Sequence, residues 1–327
     1  MLRAAAASGI GVLYVTHHLD ELAGFADRVS VLRDGRLVST SSMAETSHDA
    51  IVRAMVGGSF EALMERADLP ATSNSDQAPI LVAEHLSGGS IEDVSLAVRG
   101  GEIVGVHGLT GSGREALLAM IFGAIDCAGG SVVVHGRTIP HRRPDLAIRA
   151  GVAYVPPDRK ISGGIMTQSA RENFTLPRLK PYWSHGHLKR RAEETDVKGW
   201  FQRLGVKPQD AIEAPLTTYS GGNQQKIVLG KWLRLKPSLL LLDDPTQGVD
   251  VAAKADLHRL ILALAAEGVA VLLGSTDADE LASLSSRVLV LRRGRIASEL
   301  HGEQISEGAL NDALHRGTAD ANRNEHP

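Results

Sequence analysis

The stretch EIVGVHGLTGSGREALLAMIFG, residues 102–123, decides the fold. A short apolar strand runs into a Gly-rich turn, and an apolar helical segment follows at once, which is the order of a phosphate-binding loop. Glycines let the backbone curl around an anion with its N–H groups pointing inward, and the dipole at the start of a helix favours negative charge there. The stretch therefore predicts a phosphate loop, and the alternative is an ordinary Gly-rich turn.

The loop supplies six candidate nucleotide-binding residues, and two of them depart from the usual pattern. Arg114 stands where a phosphate loop has lysine, and Glu115 stands where a Ser or Thr hydroxyl ligates magnesium. Arginine can pair with phosphate oxygens, although its planar fork does not take the place of an ammonium group. A glutamate beside a triphosphate brings like charges together. We therefore expect weak or metal-poor nucleotide binding at Gly108, Gly111, Ser112, Gly113, Arg114 and Glu115.

A second set of candidates follows the apolar run SLLLLDD, residues 238–244. The run is apolar on both faces, as a central parallel strand is, and it ends in two acids. Asp243 is the candidate magnesium ligand, and Asp244 is the candidate catalytic residue, at a position where glutamate usually polarises the attacking water. Aspartate is one methylene shorter, and a displacement of about 1 Å can cost about 10²-fold in rate. The alternative for this pair is a solvated strand end.

Residues 219–226, YSGGNQQK, open a predicted helix that continues with IVLGKWLRL. Ser220 is expected to cap this helix, while Gly221 and Gly222 keep its start bare of side chains. A bare helix start is an anion site, but this one is expected to face outward and to need another domain to bring the anion. We assign Gln224 to the same site. The alternative is an ordinary Ser-Gly-Gly turn that binds no ligand. Asp250, beyond the acidic strand, is the candidate for contact across a dimer.

An internal repeat accounts for the start of the chain. Residues 12–39 align without gaps on residues 271–298, and roughly half of the positions are identical. Both copies predict an apolar strand, an acidic helix start, a second strand and a hairpin turn. Little of the first unit precedes the repeat, so we expect about 200 residues of that unit to lie ahead of residue 1.

The repeat and the local composition predict four segments. Residues 1–58 are interpreted as the C-terminal remnant of a first domain, and residues 79–316 as a complete second domain. Residues 59–78, rich in Ser, Asp, Ala and Pro without periodicity, read as a linker. Residues 317–327 are polar and are expected to be disordered.

Charge and composition exclude several classes of protein. The net charge of -3, from 35 basic and 38 acidic residues, implies no strong field for nucleic acid, and we expect no nucleic-acid partner. The single cysteine, Cys127, excludes an intramolecular disulfide framework and suits a reducing compartment. The apolar runs fall short of the roughly 20 residues that a membrane helix needs. We therefore expect any membrane association to occur through a partner.

Taken together, the phosphate loop, SGGNQQK and LLLLDDPTQGVD resemble the nucleotide-binding domain of ABC transporters over residues 80–316, and the repeat extends the resemblance to residues 1–58. More narrowly, Arg114, the run YVPPDRK at residues 154–160 and PTQGVDV resemble the second domain of tandem ATPases that import ribose, galactose, xylose and similar monosaccharides.

The resemblance implies an α/β P-loop NTPase fold, with a mixed sheet core, an antiparallel β subdomain and a helical subdomain at about residues 161–206. It implies ATP and Mg²⁺ as cofactors. It also implies three partners: a second ATPase domain or chain, a transmembrane sugar permease and, indirectly, an extracytoplasmic sugar-binding protein. The expected location is the cytoplasmic face of the plasma membrane, as a peripheral subunit. In this family two domains bind ATP between them. The helix that opens with the SGGNQQK motif, called the signature helix, therefore contacts the ATP bound by the other domain.

The resemblance also points to a weakened site in this chain. The positions of the family's glutamine and switch histidine are held by Pro157 and Thr276, in addition to the departures at Arg114, Glu115 and Asp244. These departures argue against hydrolysis at this site. By the repeat, Thr276 matches His17, so His17 is the candidate catalytic residue of the first unit, and a surface histidine after a strand is the alternative.

Three functions are open at this point. The first is the ATP-binding component of a sugar importer, and the second is a non-hydrolytic nucleotide-binding or scaffold module that acts only with a partner chain. The third, a soluble ABC protein of translation or DNA repair, ranks last because such proteins show basic arms or a long coiled coil.

Overall fold

The computed structural model describes residues 2–16, 22, 24–33, 35–47, 50, 51, 54, 55 and 78–315. The chain divides into one unit of Met1–Ala67 with Val249–Arg259 and another of Asp68–Gly248 with Leu260–Pro327. The predicted linker lies outside the described residues except for its last position, and the predicted tail lies wholly outside them.

Apart from Val249–Arg259, most of which belongs to the helix Val251–Ala266, the first unit contains a short helix and a hairpin among its described residues. These elements are α1 (Leu2–Ala7), β1 (Arg28–Arg33) and β2 (Arg36–Ser42), and the two strands pair antiparallel. A small core joins Leu22, Val29, Val31 and Ile51. The turn predicted before β2 is present, with Gly35 at a φ of 74°.

The strand predicted at the start of the first repeat is absent, so that prediction is wrong. Residues 11–16 have no regular structure, and the side chains of Leu13 and Val15 are 93% and 88% exposed. The matching residues of the second repeat lie in a strand, Ala270–Gly274, which is hydrogen-bonded to neighbours on both sides. A strand needs such partners for its backbone, and in the described part of the first unit β1 and β2 pair only with each other.

The second unit is built on one mixed sheet, as the resemblance implies. Its order among the described strands is β7-β6-β3-β4-β14-β13-β5-β12-β11-β8. The strands β8, β11, β12, β5 and β13 form a parallel core, and β3, β4, β6 and β7 are joined by antiparallel pairs. The strands are β3 (Leu81–Gly88), β4 (Ile91–Val98), β5 (Ile103–Gly108), β6 (Gly129–Val134), β7 (Arg137–Ile139), β8 (Val152–Val155), β9 (Trp183–Ser184), β10 (His187–Leu188), β11 (Leu239–Asp243), β12 (Ala270–Gly274), β13 (Arg287–Arg292) and β14 (Arg295–His301).

The short strands β9 and β10 pair with each other outside the main sheet. The strands β5, β11 and β12 are buried along their whole length, which explains their continuous apolar sequence. The helices are α2 (Arg114–Phe122), α3 (Pro144–Arg149), α4 (Ala170–Thr175), α5 (Arg190–Leu204), α6 (Gly221–Leu233), α7 (Val251–Ala266), α8 (Ala278–Leu284) and α9 (Glu307–His315).

The helices α4, α5 and α6 form the helical subdomain. A capping box starts α4, in which the Ser169 hydroxyl accepts from the Glu172 amide and the Glu172 carboxylate accepts from the Ser169 amide. Phe174 and Phe201, both fully buried, pack edge to face between α4 and α5, with ring centroids 5.9 Å apart. The long amphipathic helix predicted from about residue 188 is α5.

Candidate functional site

The phosphate loop lies at the carboxyl end of β5, between the neighbouring strands β12 and β13, and leads into α2. Gly113 precedes α2 with a φ of 102°, and a Cβ there would lie 2.6 Å from Ile91 Cδ1. A Cβ at Gly108 would lie 2.3 Å from the Ser112 hydroxyl oxygen. Both positions therefore require glycine, as the sequence predicts for a tightly curled loop.

Three amides of this loop are already bonded within the chain. Gly111 N–H donates to the Glu115 carboxylate at 2.9 Å, and Ser112 N–H donates to the carbonyl of Leu109, also at 2.9 Å. Arg114 N–H donates to the Ser112 hydroxyl at 3.3 Å. The carboxylate of Glu115 thus accepts a hydrogen bond from a loop amide that would otherwise be able to donate to an anionic ligand.

Arg114 is buried and joins the two acids that end β11. Its side chain is only 5% exposed, with one terminal nitrogen 3.1 Å from Asp243 Oδ1 and the other 3.0 Å from Asp244 Oδ2. Burial raises the pKa of Asp243 to about 7, while the Arg114 guanidinium opposes the rise. The assignment of Asp243 to magnesium stays a prediction, and a metal ion bound there would lie beside the Arg114 guanidinium.

Asp244 has both carboxylate oxygens engaged. Oδ2 faces Arg114, and Oδ1 accepts from the backbone amide of Thr276 at 2.8 Å and from its hydroxyl at 3.2 Å. The backbone of Asp244 has a φ of 43°, an uncommon conformation for a residue with a side chain. The role of Asp244 in polarising water stays a prediction, because its carboxylate is held by donors from two elements.

Two buried residues beside the loop were not found from the sequence. His107, at the end of β5, donates from Nδ1 to the carbonyl of Ser275 at 3.1 Å, and burial lowers the pKa of its ring. Glu280 accepts from the Ser275 hydroxyl at 2.6 Å and from the Thr246 hydroxyl at 2.8 Å. The signal for Glu280 was its identity with Glu21 in the repeat.

The Ser-Gly-Gly turn starts α6 as predicted, with the Ser220 hydroxyl accepting from the Asn223 amide. Gly221 is half-buried, Gly222 is buried, and neither places a side chain at the helix start. The buried side chain of Gln224 is used inside the domain, where its amide donates to the carbonyl of Tyr219 at 2.9 Å. The contacts of Ser220, Gly221, Gly222 and Gln224 with a nucleotide stay predictions.

Arg159 is the contact beside this turn that the sequence did not assign. Its guanidinium donates to the carbonyls of Gln247 and Gly248 at 2.6 Å and 3.0 Å, and to the Gln224 side chain at 3.3 Å. A Cβ at Gly221 would lie 2.8 Å from a guanidinium nitrogen of Arg159. In the sequence Arg159 belongs to the YVPPDRK run, and the residue types in that run do not indicate by themselves what Arg159 contacts.

Arg114 brings the loop and the acidic strand together, and Arg159 joins the signature helix to the turn after that strand. Asp250 lies in the first unit, where its carboxylate accepts from the amide of Ala253 at 2.9 Å. His17 lies outside the described residues.

Within the part of the chain that the structure describes, no group of three or more His, Cys, Asp and Glu residues is placed to hold a metal ion. None of the helices described is both long and apolar enough to cross a bilayer.

Comparison with known proteins gives concordant matches. Residues 91–247 match the family described as ABC transporter. A ribose import ATP-binding protein of Rhodococcus jostii (strain RHA1) is 40% identical over 306 residues, which are 93% of this chain and 60% of that protein. Its counterpart from Chelativorans sp. (strain BNC1) is 41% identical over 312 residues, 95% of this chain and 60% of that protein. The chain therefore spans about 60% of the length of these relatives.

Solved structures share the architecture at low identity. A nucleotide-free ATP-binding cassette from an ABC transporter matches with a TM-score of 0.62 at 20% identity, covering 72% of this chain and 96% of the cassette. A dimeric cassette bound to ADP and Pi matches with a TM-score of 0.57 at 20% identity, covering 68% of this chain and 98% of that one. These likenesses confirm the fold expected from the sequence.

Proposed function

The chain carries an ABC-type nucleotide-binding domain, and from that premise we propose that it is the ATP-binding component of a monosaccharide importer. The relatives at 40% and 41% identity are ribose import ATP-binding proteins, which supports a pentose or similar sugar as the cargo. The chain spans about 60% of their length, so its activity in the full assembly is part of the proposal.

The observation that carries the proposal is the start of α6. Ser220 caps the helix, and the two glycines leave its first turn without side chains. Such a helix start attracts phosphate oxygens through its free amides and its dipole. In the proposed assembly this tip contacts the triphosphate held by a second ATPase domain or chain. Asp250 is proposed separately as a residue that makes contact across a dimer.

The chain's own phosphate loop has a binding role rather than a hydrolytic one in this proposal. Hydrolysis needs a carboxylate free to polarise water, and Asp244 is held by Arg114 and Thr276. ATP hydrolysis then takes place at the other site of the sandwich, with Mg²⁺ at that site and with His17 as its switch residue.

Exposed apolar side chains on the helical subdomain support a membrane partner. Leu176, Leu179, Trp183 and Leu188 are between 38% and 59% exposed, on or beside the short segments that join α4 to α5. Apolar side chains grouped at a surface mark contact sites. We assign this surface to the transmembrane sugar permease. We further propose that the chain acts at the cytoplasmic face of the membrane and works indirectly with an extracytoplasmic sugar-binding protein.

The proposal is tested with a chimera in which this chain replaces the matching part of the Rhodococcus relative. The chimera, reconstituted with its permease in vesicles, is expected to hydrolyse ATP. Gly221→Asp is expected to remove at least about 90% of that activity, because a carboxylate at the helix tip repels the triphosphate.

The control is Gly199→Asp in α5, since a Cβ there meets nothing within 4 Å. Thermal melting shows whether both variants fold. Full ATP hydrolysis by a folded Gly221→Asp chimera would contradict the proposal. A chimera that binds ATP without any hydrolysis would favour the non-hydrolytic module instead, which the engagement of Asp244 by Arg114 and Thr276 supports.

A further inference from the structure

Two side chains of the phosphate loop supply, from within the chain, the charges that a bound magnesium nucleotide would bring. Arg114 places a guanidinium between Asp243 and Asp244, at 3.1 Å and 3.0 Å. Glu115 places a carboxylate oxygen 2.9 Å from the amide nitrogen of Gly111. The guanidinium of Arg114 therefore already neutralises the two acids, and the carboxylate of Glu115 already accepts a hydrogen bond from a loop amide.

The cationic half of this arrangement is buried. The side chains of Arg114 and Asp243 are 5% and 1% exposed, so their charges are poorly screened by water. Removing one partner from such a pair leaves an uncompensated buried charge, which is strongly unfavourable. A magnesium ion that took Asp243 as a ligand would bring its positive charge beside the Arg114 guanidinium, which already lies 3.1 Å from that carboxylate.

The anionic half is exposed and easily displaced. Glu115 and Gly111 lie at the surface, and the hydrogen bond between them is open to water. Glu115 also replaces the short hydroxyl that ligates magnesium in phosphate loops. The donor set at this loop therefore does not suit a magnesium ion, whereas a phosphate can reach the Gly111 amide once Glu115 swings away.

We propose that this phosphate loop binds nucleotide without magnesium, with Arg114 in the place of the metal and Glu115 as an internal competitor for the phosphate. The inference rests on the proposed function, because it assumes that the chain binds ATP. It goes beyond it by assigning the chemical form of the ligand, the metal-free nucleotide anion, and the residue that opposes its binding.

The test measures binding of a fluorescent ATP analogue to the full chain, in excess Mg²⁺ and in EDTA. The wild-type affinity is expected to agree within about twofold between the two conditions. Glu115→Gln, which keeps the shape and removes the charge, is expected to bind about tenfold tighter in both. The control is Glu267→Gln, an exposed carboxylate between α7 and the amino end of β12, whereas the phosphate loop follows the carboxyl end of the parallel strand β5. This variant is expected to bind as the wild type does.

A double variant separates the roles of the two residues. Arg114→Lys with Glu115→Ser restores the usual pair of a phosphate loop, and its affinity is expected to be at least about tenfold higher with Mg²⁺ than with EDTA. Wild-type binding that is undetectable, together with metal-independent binding by Glu115→Gln, supports the inference, since the competitor alone then blocks the loop.

Two results would overturn the inference and leave the proposed function standing. They are wild-type binding at least about tenfold tighter with Mg²⁺ than with EDTA, and a folded Glu115→Gln variant that binds no tighter than the wild type. The absence of binding by every folded variant in both conditions would overturn both the inference and the assignment of nucleotide binding to this loop.

Discussion

Lys231 of α6 shows how a single buried charge makes stability depend on pH. The residue is only 9% exposed, and its ammonium group donates to the carbonyl of Gly163. Burial lowers the pKa of Lys231 to about 8, because the charged form loses water. In the unfolded chain a lysine titrates near 10.4, so between these pH values the folded chain binds fewer protons than the unfolded one.

The folded chain is therefore expected to gain stability as pH rises from about 8 to about 10, since the penalty for charging Lys231 is present below pH 8 and is relieved above it. Relative to Lys231→Met, the free energy of unfolding of the wild type is expected to rise by up to about 3 kcal/mol between pH 7.5 and pH 10.5. Urea unfolding at each pH measures the difference. Lys198→Met, at an exposed position, controls for the loss of a surface charge, and a difference for Lys231→Met that stays constant with pH would contradict the prediction.

At the scale of elements, a buried ion network holds α4 to α5. Arg171 of α4 contacts Glu193 of α5 at 2.7 Å and Glu213 at 2.6 Å, and the hydrogen bond to Glu213 raises the pKa of Arg171. Glu193 also accepts from the Thr175 hydroxyl at 2.5 Å. The Glu193 side chain is only 1% exposed, so Arg171 rather than water compensates its carboxylate.

Arg171→Met is expected to lower the free energy of unfolding by about 3–5 kcal/mol, because it leaves the Glu193 carboxylate buried without a cation. Arg190→Met is the matched control, since Arg190 is 60% exposed and its ion pairs with Glu194 and Glu213 lie in water. The control is expected to cost less than about 1 kcal/mol. Equal losses in the two variants, measured by chemical denaturation, would show that the network contributes no more than a surface pair.

Two glycines inside helices differ in what surrounds them. A Cβ at Gly230 of α6 would lie 2.4 Å from Leu204 Cδ1 and 2.6 Å from a ring carbon of Phe174, whereas one at Gly199 of α5 would meet nothing within 4 Å. Gly230 is therefore required where α6 crosses α4 and α5. Gly199 only weakens its helix.

Alanine at these two positions is expected to have opposite effects. Gly230→Ala is expected to cost about 1–3 kcal/mol through overpacking, and Gly199→Ala is expected to add about 0.5–1 kcal/mol through helix propensity. Denaturant unfolding of the two variants checks both signs in one experiment. Stabilisation by Gly230→Ala would mean that the packing of α6 against Phe174 can relax.

For the whole molecule, the order of motifs along the chain was enough to predict the fold. The strand before Gly108, the loop, and the strand that ends at Asp243 each follow from local apolar pattern and turn chemistry. The Arg114 contact was not predictable, because it joins residues 129 positions apart and depends on β12 lying between β5 and β11. The strand expected at residues 12–16 was wrong for a related reason, since a local pattern does not reveal whether partner strands exist.

The isolated chain is expected to hydrolyse ATP at least about 100-fold more slowly than the chimera described above, because Asp244 has no free oxygen and the start of α6 has no triphosphate to contact. Phosphate release from the chain alone, with Mg²⁺ present, measures this rate. The chimera assayed at the same concentration is the control. Turnover by the isolated chain at the chimera's rate would refute the division of labour between the two sites.

The three bonds of Arg159 also constrain how the molecule can move. One planar group ties the first turn of α6, through Gln224, to the carbonyls of Gln247 and Gly248. If the helical subdomain rotates while these bonds stay formed, the segment after β11 must rotate with it. The hinge for such a rotation must then lie outside the residues that Arg159 connects.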